Sequence, residues 1–455
     1  MSAPDVVVVG AGFAGLSAAC ALAEAGIRVL VLDARPQLGG RATAFRDRET
    51  GELVDNGQHV MFGCYRETLR FLRRVGAEEH VRVQQTLEVP FLDVNGRRSV
   101  LRCPRLPAPF HLLGAVLAWD AMPWRDRLSV LRLAGPLKAA RRELLRTGSV
   151  SLEEEEGDLT VSEWLRRHGQ GARLREWLWE PLAIAALNQP PQEASAAPFV
   201  RVLADMFGPD ARAAALVLPT RPLHLVYAEP ARTFIEARGG EVRSSALARV
   251  RVADGRVSGV ELRGQRIDAR RVIAAVPWFG LRPLLGTVPT ELSAIVSSAD
   301  AMTSMPIVTV NLWYDRQVMQ DAFVGLPGRA MQWVFDKRVA FGESASHLSL
   351  VSSGASALVG ETSAALTARA AAEVEASIPG ARGARLIRAT VIREKQATFS
   401  LAPGQPARPG TRTAIDGLFL AGDWIDTGLP GTIESAVVSG HQAAEAIREE
   451  LKAES

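Results

Sequence analysis

Four consecutive apolar β-branched residues, Val6 to Val9, open the ordered pattern of the chain; glycines follow, and apolar residues then recur at helical spacing from Phe13 to Ala23. A short apolar run that changes to a 3.6-residue period predicts a buried strand feeding a helix. After Gly26 the run "RVLVLD" predicts a second strand, ending on Asp33. The same order returns near the C-terminus, where "GLFLAGD" reads as a strand and "TIESAVVSGHQAAEAI" as a helix beginning near Thr432. Between these ends, "GGEVRSSALARVRVADGRVSGVEL" alternates around Asp254-Gly255 and predicts a hairpin, and "RVIAAVP" predicts a buried strand closed by Pro277. The acidic "EEEEG" at 153–157 reads as a solvated linker ahead of a helix whose start, "TVSE", has capping-box form.

Composition narrows the class. A chain of 455 residues is too long for one small core, which implies two interleaved domains or one domain with a large insertion. Its net charge is +3 with scattered basic residues, so no nucleic-acid footprint is expected. The three cysteines, Cys20, Cys64 and Cys103, show neither CxxC nor metal-ligand spacing, which points to buried thiols in a reducing compartment and to no metal. The start "MSAPDVVVVGAG" lacks a basic leader, and no apolar stretch reaches the length of a membrane span. Residues 109–124, "PFHLLGAVLAWDAMPW", come nearest, but they are too few and include His111 and Asp120. The expected location is therefore the cytoplasm.

The glycines carry the first chemistry. In "VVVVGAGFAGLSAACAL", Gly10 permits a tight turn, Gly12 lets the backbone approach a pyrophosphate, and Gly15 lets helix and strand pack closely. The helix start at Phe13 and Ala14 faces the anion, while Asp33 is placed to take ribose hydroxyls. This pattern predicts a dinucleotide site without separating NAD from FAD. Ala34, Arg35 and then Gly39-Gly40-Arg41 follow directly, suited to a backbone passing under phosphates beside a cation. Gly422-Asp423 and the helix start at Thr432 and Ile433 form a second site for a polar cofactor end, so one long cofactor spanning both is expected.

The pairing of "GAGFAGLSAACAL…DARPQLGGRA" with "LFLAGDWIDTGLPGTIESAVVSG" resembles the FAD-dependent amine oxidase and phytoene desaturase superfamily. Within it, "LVDNGQHVMFGCYRETLRFLRRVG", "PLAIAALNQPPQEASA" and "REKQATF" resemble the squalene-associated branch, the hydroxysqualene dehydroxylases. The resemblance covers nearly the whole chain. It implies an α/β fold in which a Rossmann-like FAD-binding domain of GR2 type is interleaved with an α+β substrate domain. The expected segments are 1–100, 225–285 and 396–455 for FAD, and 101–224 and 286–395 for the substrate. By resemblance, Leu247 or Val250 packs near the adenine, strand-core packing being the other reading. Arg35 and Arg41 meet the phosphate and ribityl region, Asp423 the ribityl or phosphate end, and Thr432 and Ile433 the flavin ring.

The implied reaction is loss of an allylic hydroxyl, with hydride from reduced FAD and a proton from a donor beside the flavin. By itself Asp55-Asn56-Gly57 is turn chemistry and reads as a hairpin connection. The resemblance turns "DNGQH" towards the flavin, with Gly57 allowing close approach, Gln58 orienting the hydroxyl and His59 as first candidate for the acid. Glu394 and Lys395 are second candidates, and Asp426 and Glu434 third, Glu434 more as a complement to its helix dipole. Trp119, Trp124, Trp177, Trp179, Phe199, Phe207, Trp313, Tyr314 and Trp333 are expected mostly in the core, some lining a pocket for a long isoprenoid lipid. Residues 109–124, through Trp119 and Trp124, are read either as a peripheral contact with the inner face of the membrane or as a buried helix. An electron donor must reduce the flavin between turnovers. The rival readings are a carotenoid-type desaturase, an amine oxidase and a non-redox prenyl-lipid carrier.

Overall fold

A computed structural model describes residues 4–152, 156–343 and 345–454. Val6–Val9 lies at the centre of a five-stranded parallel sheet, flanked by Val29–Leu32 and Val272–Ala274, with Glu241–Arg243 and Leu418–Leu420 at the edges. Side-chain alternation sends Val6, Val8 and Val31 to one face, where helices Phe13–Glu24 and Ile433–Glu454 cover them. Val7, Val9, Leu30 and Leu32 go to the other face, under helices Trp278–Leu285 and Ser293–Ala301 and a small three-stranded sheet. Strands buried on both faces need no polar alternation, which is why they read as unbroken apolar runs.

From the first strand the chain winds to one side through Val29–Leu32 and to the other through Val272–Ala274. A crevice therefore opens at the carboxyl ends, between Gly10 and Ala275. The backbones approach so closely there that a Cβ on Gly10 would lie 2.3 Å from the Ala275 carbonyl oxygen, and one on Gly15 would lie 1.9 Å from that of Gly10. Gly440 plays the same part between the first and last helices, where a Cβ would stand 2.2 Å from the Ala14 carbonyl oxygen.

The second layer is a seven-stranded sheet, ordered Leu386–Phe399, Ser304–Tyr314, Ser346–Ser353, Trp333–Asp336, Phe323–Gly325, Glu88–Leu92 and Arg98–Arg102. One face, with Val308, Val310, Leu348 and Leu350, packs on helix Ser363–Ser377. The opposite face, with Phe91, Phe323, Phe335 and Val351, looks towards a cap of helices lying between residues 110 and 206. Residues 88–92, 98–100 and 396–399 lie in strands of this sheet, although the sequence reading groups them with the cofactor segments. Ladder hydrogen bonds decide their place: Glu88–Leu92 pairs with Arg98–Arg102, and Leu386–Phe399 with Ser304–Tyr314.

Local expectations fare well where turn chemistry decides. Asp254 and Gly255 both have positive φ, 51° and 72°, and join paired strands as a hairpin. The Thr160–Glu163 capping box is present. Of the acidic linker, residues 153–155 lie outside the described residues, while the Glu156 carboxylate accepts from the Trp164 indole at 3.1 Å. Gly440→Ala is expected to lower the free energy of unfolding by about 1–3 kcal/mol through overpacking. An unchanged midpoint in a urea transition would contradict the close approach.

Candidate active site

One cavity of about 680 Å³ reaches from the crevice of the parallel sheet to the inner face of the seven-stranded sheet. Its polar end is lined by Gly10, Gly12, Phe13, Ala14, Asp33, Ala34, Arg35, Gly39, Gly40 and Arg41 from the N-terminal motif. Gly422, Asp423, Thr432 and Ile433 from the C-terminal motif line it as well. Helix Phe13–Glu24 begins without a side-chain cap or an acidic residue in its first turn, so its free amides face the cavity. Space is kept open in front of them: a Cβ on Gly12 would meet nothing nearer than Gly40 Cα, at 4.0 Å. An uncapped helix start behind a glycine opening fits the pyrophosphate of a dinucleotide.

Asp33 accepts from the Ala11 amide at 2.7 Å with one oxygen and from the Arg35 amide at 2.8 Å with the other. Its carboxylate is thus held at the cavity edge with lone pairs to spare. Arg41 ties the two motifs together: its guanidinium pairs with Asp423, 382 residues away, and donates to the Ala397 carbonyl at 2.7 Å. Tyr227 supports the double glycine by donating to the Gly39 carbonyl at 2.8 Å while its ring stacks on Phe13. Nothing in the sequence around Tyr227 announces this role.

The "DNGQH" segment corrects the hairpin reading. Leu53–Asp55 pairs with Ala44–Arg46, whereas Met61–Phe62 pairs with Leu216–Pro219, so residues 56–60 bridge two different sheets. No ladder closes the bend; distant side chains do. Asn56 Nδ2 donates to the Arg41 carbonyl at 3.2 Å and to Glu394 Oε2 at 2.9 Å, and Asp55 forms a buried pair with Lys337. Gly57, Gln58 and His59 line the cavity midway between its polar and apolar ends. A Cβ on Gly57 would meet nothing nearer than 3.9 Å, so the space it leaves belongs to the cavity rather than to protein packing. The His59 ring opens on the cavity yet lies inside the protein, and its Nδ1 has no partner. Burial pulls its pKa below the ordinary value, with the Asp55 charge opposing.

Beyond the bend the cavity is apolar, lined by Phe91, Leu182, Met206, Phe323, Phe335 and Val351 among others. Of the aromatics singled out in the sequence, Trp333 is the one that lines it; Trp119, Trp177, Trp179 and Phe199 belong to the packed core. Phe62, Tyr65, Phe91, Phe279, Phe323 and Phe335 line it instead. Their signal lies in which face of a strand they occupy, which one sequence does not settle.

Several expected residues take other parts. Val250 is 2% exposed in the core beside the parallel sheet, whereas Leu247 lines the cavity, so of the two residues expected near the adenine only Leu247 borders that space. Lys395 points to solvent because alternation along its strand turns it away from Glu394, which lines the cavity. Asp426 is exposed and pairs with Arg408. Glu434 serves a helix other than its own: its carboxylate accepts from the Glu67 and Thr68 amides, each at 2.9 Å, capping helix Arg66–Arg74. Gly15 lies behind the cavity, packing helix on strand as expected.

A family model described as flavin containing amine oxidoreductase matches residues 13–448. A hydroxysqualene dehydroxylase of Rhodopseudomonas palustris is 31% identical over 454 residues, covering 97% of this chain and 98% of that protein. A 15-cis-phytoene desaturase of Synechococcus elongatus is 26% identical, covering 97% and 95%. Among solved structures, an oxidoreductase from Methanosarcina mazei superposes with a TM-score of 0.74 at 18% identity, covering 97% of this chain and 99% of that one. Removing the Asp423 charge by Asp423→Asn is expected to weaken flavin retention roughly ten- to hundredfold, the worth of one charged hydrogen bond. The ratio of flavin to protein absorbance after dialysis measures it, and full retention would contradict the role.

Proposed function

The chain belongs to the flavin containing amine oxidoreductase family, in its hydroxysqualene dehydroxylase branch, and from that premise we propose that it reduces hydroxysqualene to squalene. It is an FAD-dependent oxidoreductase of the dehydroxylase or desaturase kind. The observation that carries the finer reading is one cavity in which a glycine-lined polar channel meets an apolar chamber at Gln58 and His59. Such a chamber suits a long isoprenoid bearing a single polar group.

The amides at Gly12 to Ala14, Asp33, Arg41, Asp423 and the helix start at Thr432 and Ile433 would hold FAD, which when bound and reduced would supply the hydride. The protein's own residues do the rest. Gln58 holds the hydroxyl, His59 gives the proton with which it leaves as water, and the apolar wall keeps bulk water from the allylic cation. The electron donor that restores reduced FAD acts between turnovers.

The reaction consumes a hydroxyl and two electrons, so anaerobic squalene formation that requires reductant supports the reading. The likeness to a phytoene desaturase makes hydride flow in the opposite direction the second reading. Conjugated product formed with an oxidant, and no squalene with a reductant, would select it.

Because burial lowers the His59 pKa, the protonated form needed for donation is lost as pH rises through a value below 6.5. The kcat/KM of the wild type is expected to fall along that limb. His59→Asn should remove the limb and cost about 10²–10⁴ in kcat, the usual worth of a positioned acid. Near-normal turnover with bound, reducible flavin would end the assignment.

We further place a lipid-surface contact on the helical cap. Trp124 is 65% and Phe110 60% exposed, and Leu106, Leu128, Leu131 and Leu145 are exposed too. Residues 105–146 carry eight basic and three acidic side chains, a balance that favours an anionic surface. Trp119, by contrast, is buried with its indole donating to Ser99 Oγ at 3.0 Å, so it takes no part. No helix among the described residues is long and apolar enough to cross a membrane. Trp124→Ser with Phe110→Ser should cut binding to anionic liposomes about tenfold or more; unchanged binding would remove the contact.

A further inference from the structure

The bend at Gln58 rests on a buried ion pair. Lys337 is 0% and Asp55 3% exposed, an arrangement whose desolvation cost rules it out as a mere surface salt bridge. Lys337 follows directly on strand Trp333–Asp336, whose Trp333 and Phe335 form part of the chamber wall. Its ammonium also lies 3.6 Å from the centre of the Phe341 ring. Asp55 closes strand Leu53–Asp55, immediately before the bend. The chamber wall and the bend are thereby joined by opposite charges.

One oxygen of Asp55 does two things. Oδ2 meets Lys337 Nζ and also accepts from Gln58 Nε2 at 3.0 Å. A carboxylate accepts only, so it takes the NH₂ end of the Gln58 amide and leaves Oε1 for another partner, and Gln58 itself lines the cavity. An acceptor there receives the hydrogen of an alcohol, which keeps the lone pairs of its oxygen free for a proton from His59. A donor in its place would take up one of the two lone pairs and leave the hydroxyl hydrogen without a partner.

We propose that Lys337 and Asp55 are positioning residues that set the polarity of Gln58, so that the cavity selects a hydroxyl able to donate a hydrogen bond. The proposal rests on the dehydroxylation reading and adds to it the group that decides how the hydroxyl is held. It predicts a preference measurable without turnover: an allylic alcohol over its methyl ether, which has no hydrogen to give.

The test uses flavin-loaded protein, hydroxysqualene and its O-methyl ether, with binding read from the flavin absorption spectrum and kcat measured in parallel. Wild type should favour the alcohol roughly five- to tenfold, the worth of one hydrogen bond. Asp55→Asn keeps an acceptor oxygen and should keep the preference. The double variant Asp55→Leu with Lys337→Met replaces the pair by apolar groups, so it should hold its melting temperature while losing the preference and about ten- to hundredfold in kcat. A purely structural pair predicts that turnover returns with stability, and retained preference and kcat in the folded double variant would overturn the proposal.

Lys337→Met alone gives a second reading. Without Lys337 the Asp55 carboxylate loses its fixed partner and no longer holds the Gln58 amide in one orientation, so the preference for the alcohol over the ether should fall. Unchanged preference in that variant also overturns the assignment. Equal binding of both ligands by wild type defeats the polarity argument alone, whereas binding of neither defeats the isoprenoid-alcohol reading itself.

Discussion

The guanidinium of Arg41 is the contact on which the architecture turns. It pairs with Asp423, in the loop just past the last strand of the parallel sheet, and donates to Ala397 in the edge strand of the seven-stranded sheet, and its face lies 5.6 Å from the Trp278 ring. The Arg41 carbonyl accepts from Asn56, which in turn holds Glu394. One residue thus links both nucleotide-binding motifs, the bend at 55–59 and the sheet that walls the chamber. Such a half-buried charge needs several partners to offset its desolvation, and each partner comes from a different part of the chain. The meeting of a polar channel and an apolar chamber follows from that requirement.

The chamber itself follows from period two. Successive residues of Trp333–Asp336 and Ser346–Ser353 alternate between helix Ser363–Ser377 and the cavity, so the sheet is both core and wall. Gln58 and His59 enter where the bend arrives, beside Glu394 and Thr398 of the edge strand, while the inner strands Trp333–Asp336 and Phe323–Gly325 contribute apolar side chains to the lining. Gln58 and His59 therefore form a polar end in an apolar space, the arrangement a hydrocarbon with one hydroxyl requires.

Legibility in the sequence tracks the range of the deciding interaction. The parallel sheet, the glycine turns, the Asp254-Gly255 hairpin and the capping box rest on contacts within a few residues or on strict periodicity, and they are readable. Lys337, Tyr227 and the Glu434 cap act over 150 residues or more, and no local pattern marks them. "DNGQH" sits between: its turn residues are plain, but its partners, Arg41, Glu394 and Lys337, decide that it is an open bend between sheets. The segments that carry the branch resemblance now have a physical part. Asn188, from "PLAIAALNQPPQ", donates to the Met305 carbonyl and to Thr398 and accepts from the Gly354 amide, locking the helical cap to the seven-stranded sheet.

On the proposed dehydroxylation, reducing equivalents pass from the cofactor to an alcohol carbon held at Gln58 and His59. Mixing stoichiometrically reduced enzyme with hydroxysqualene in an anaerobic stopped-flow experiment tests it most directly. Flavin reoxidation and squalene formation are expected to share one rate and to end with one squalene per flavin. Flavin that stays reduced while hydroxysqualene persists, or squalene that appears without flavin reoxidation, would contradict it.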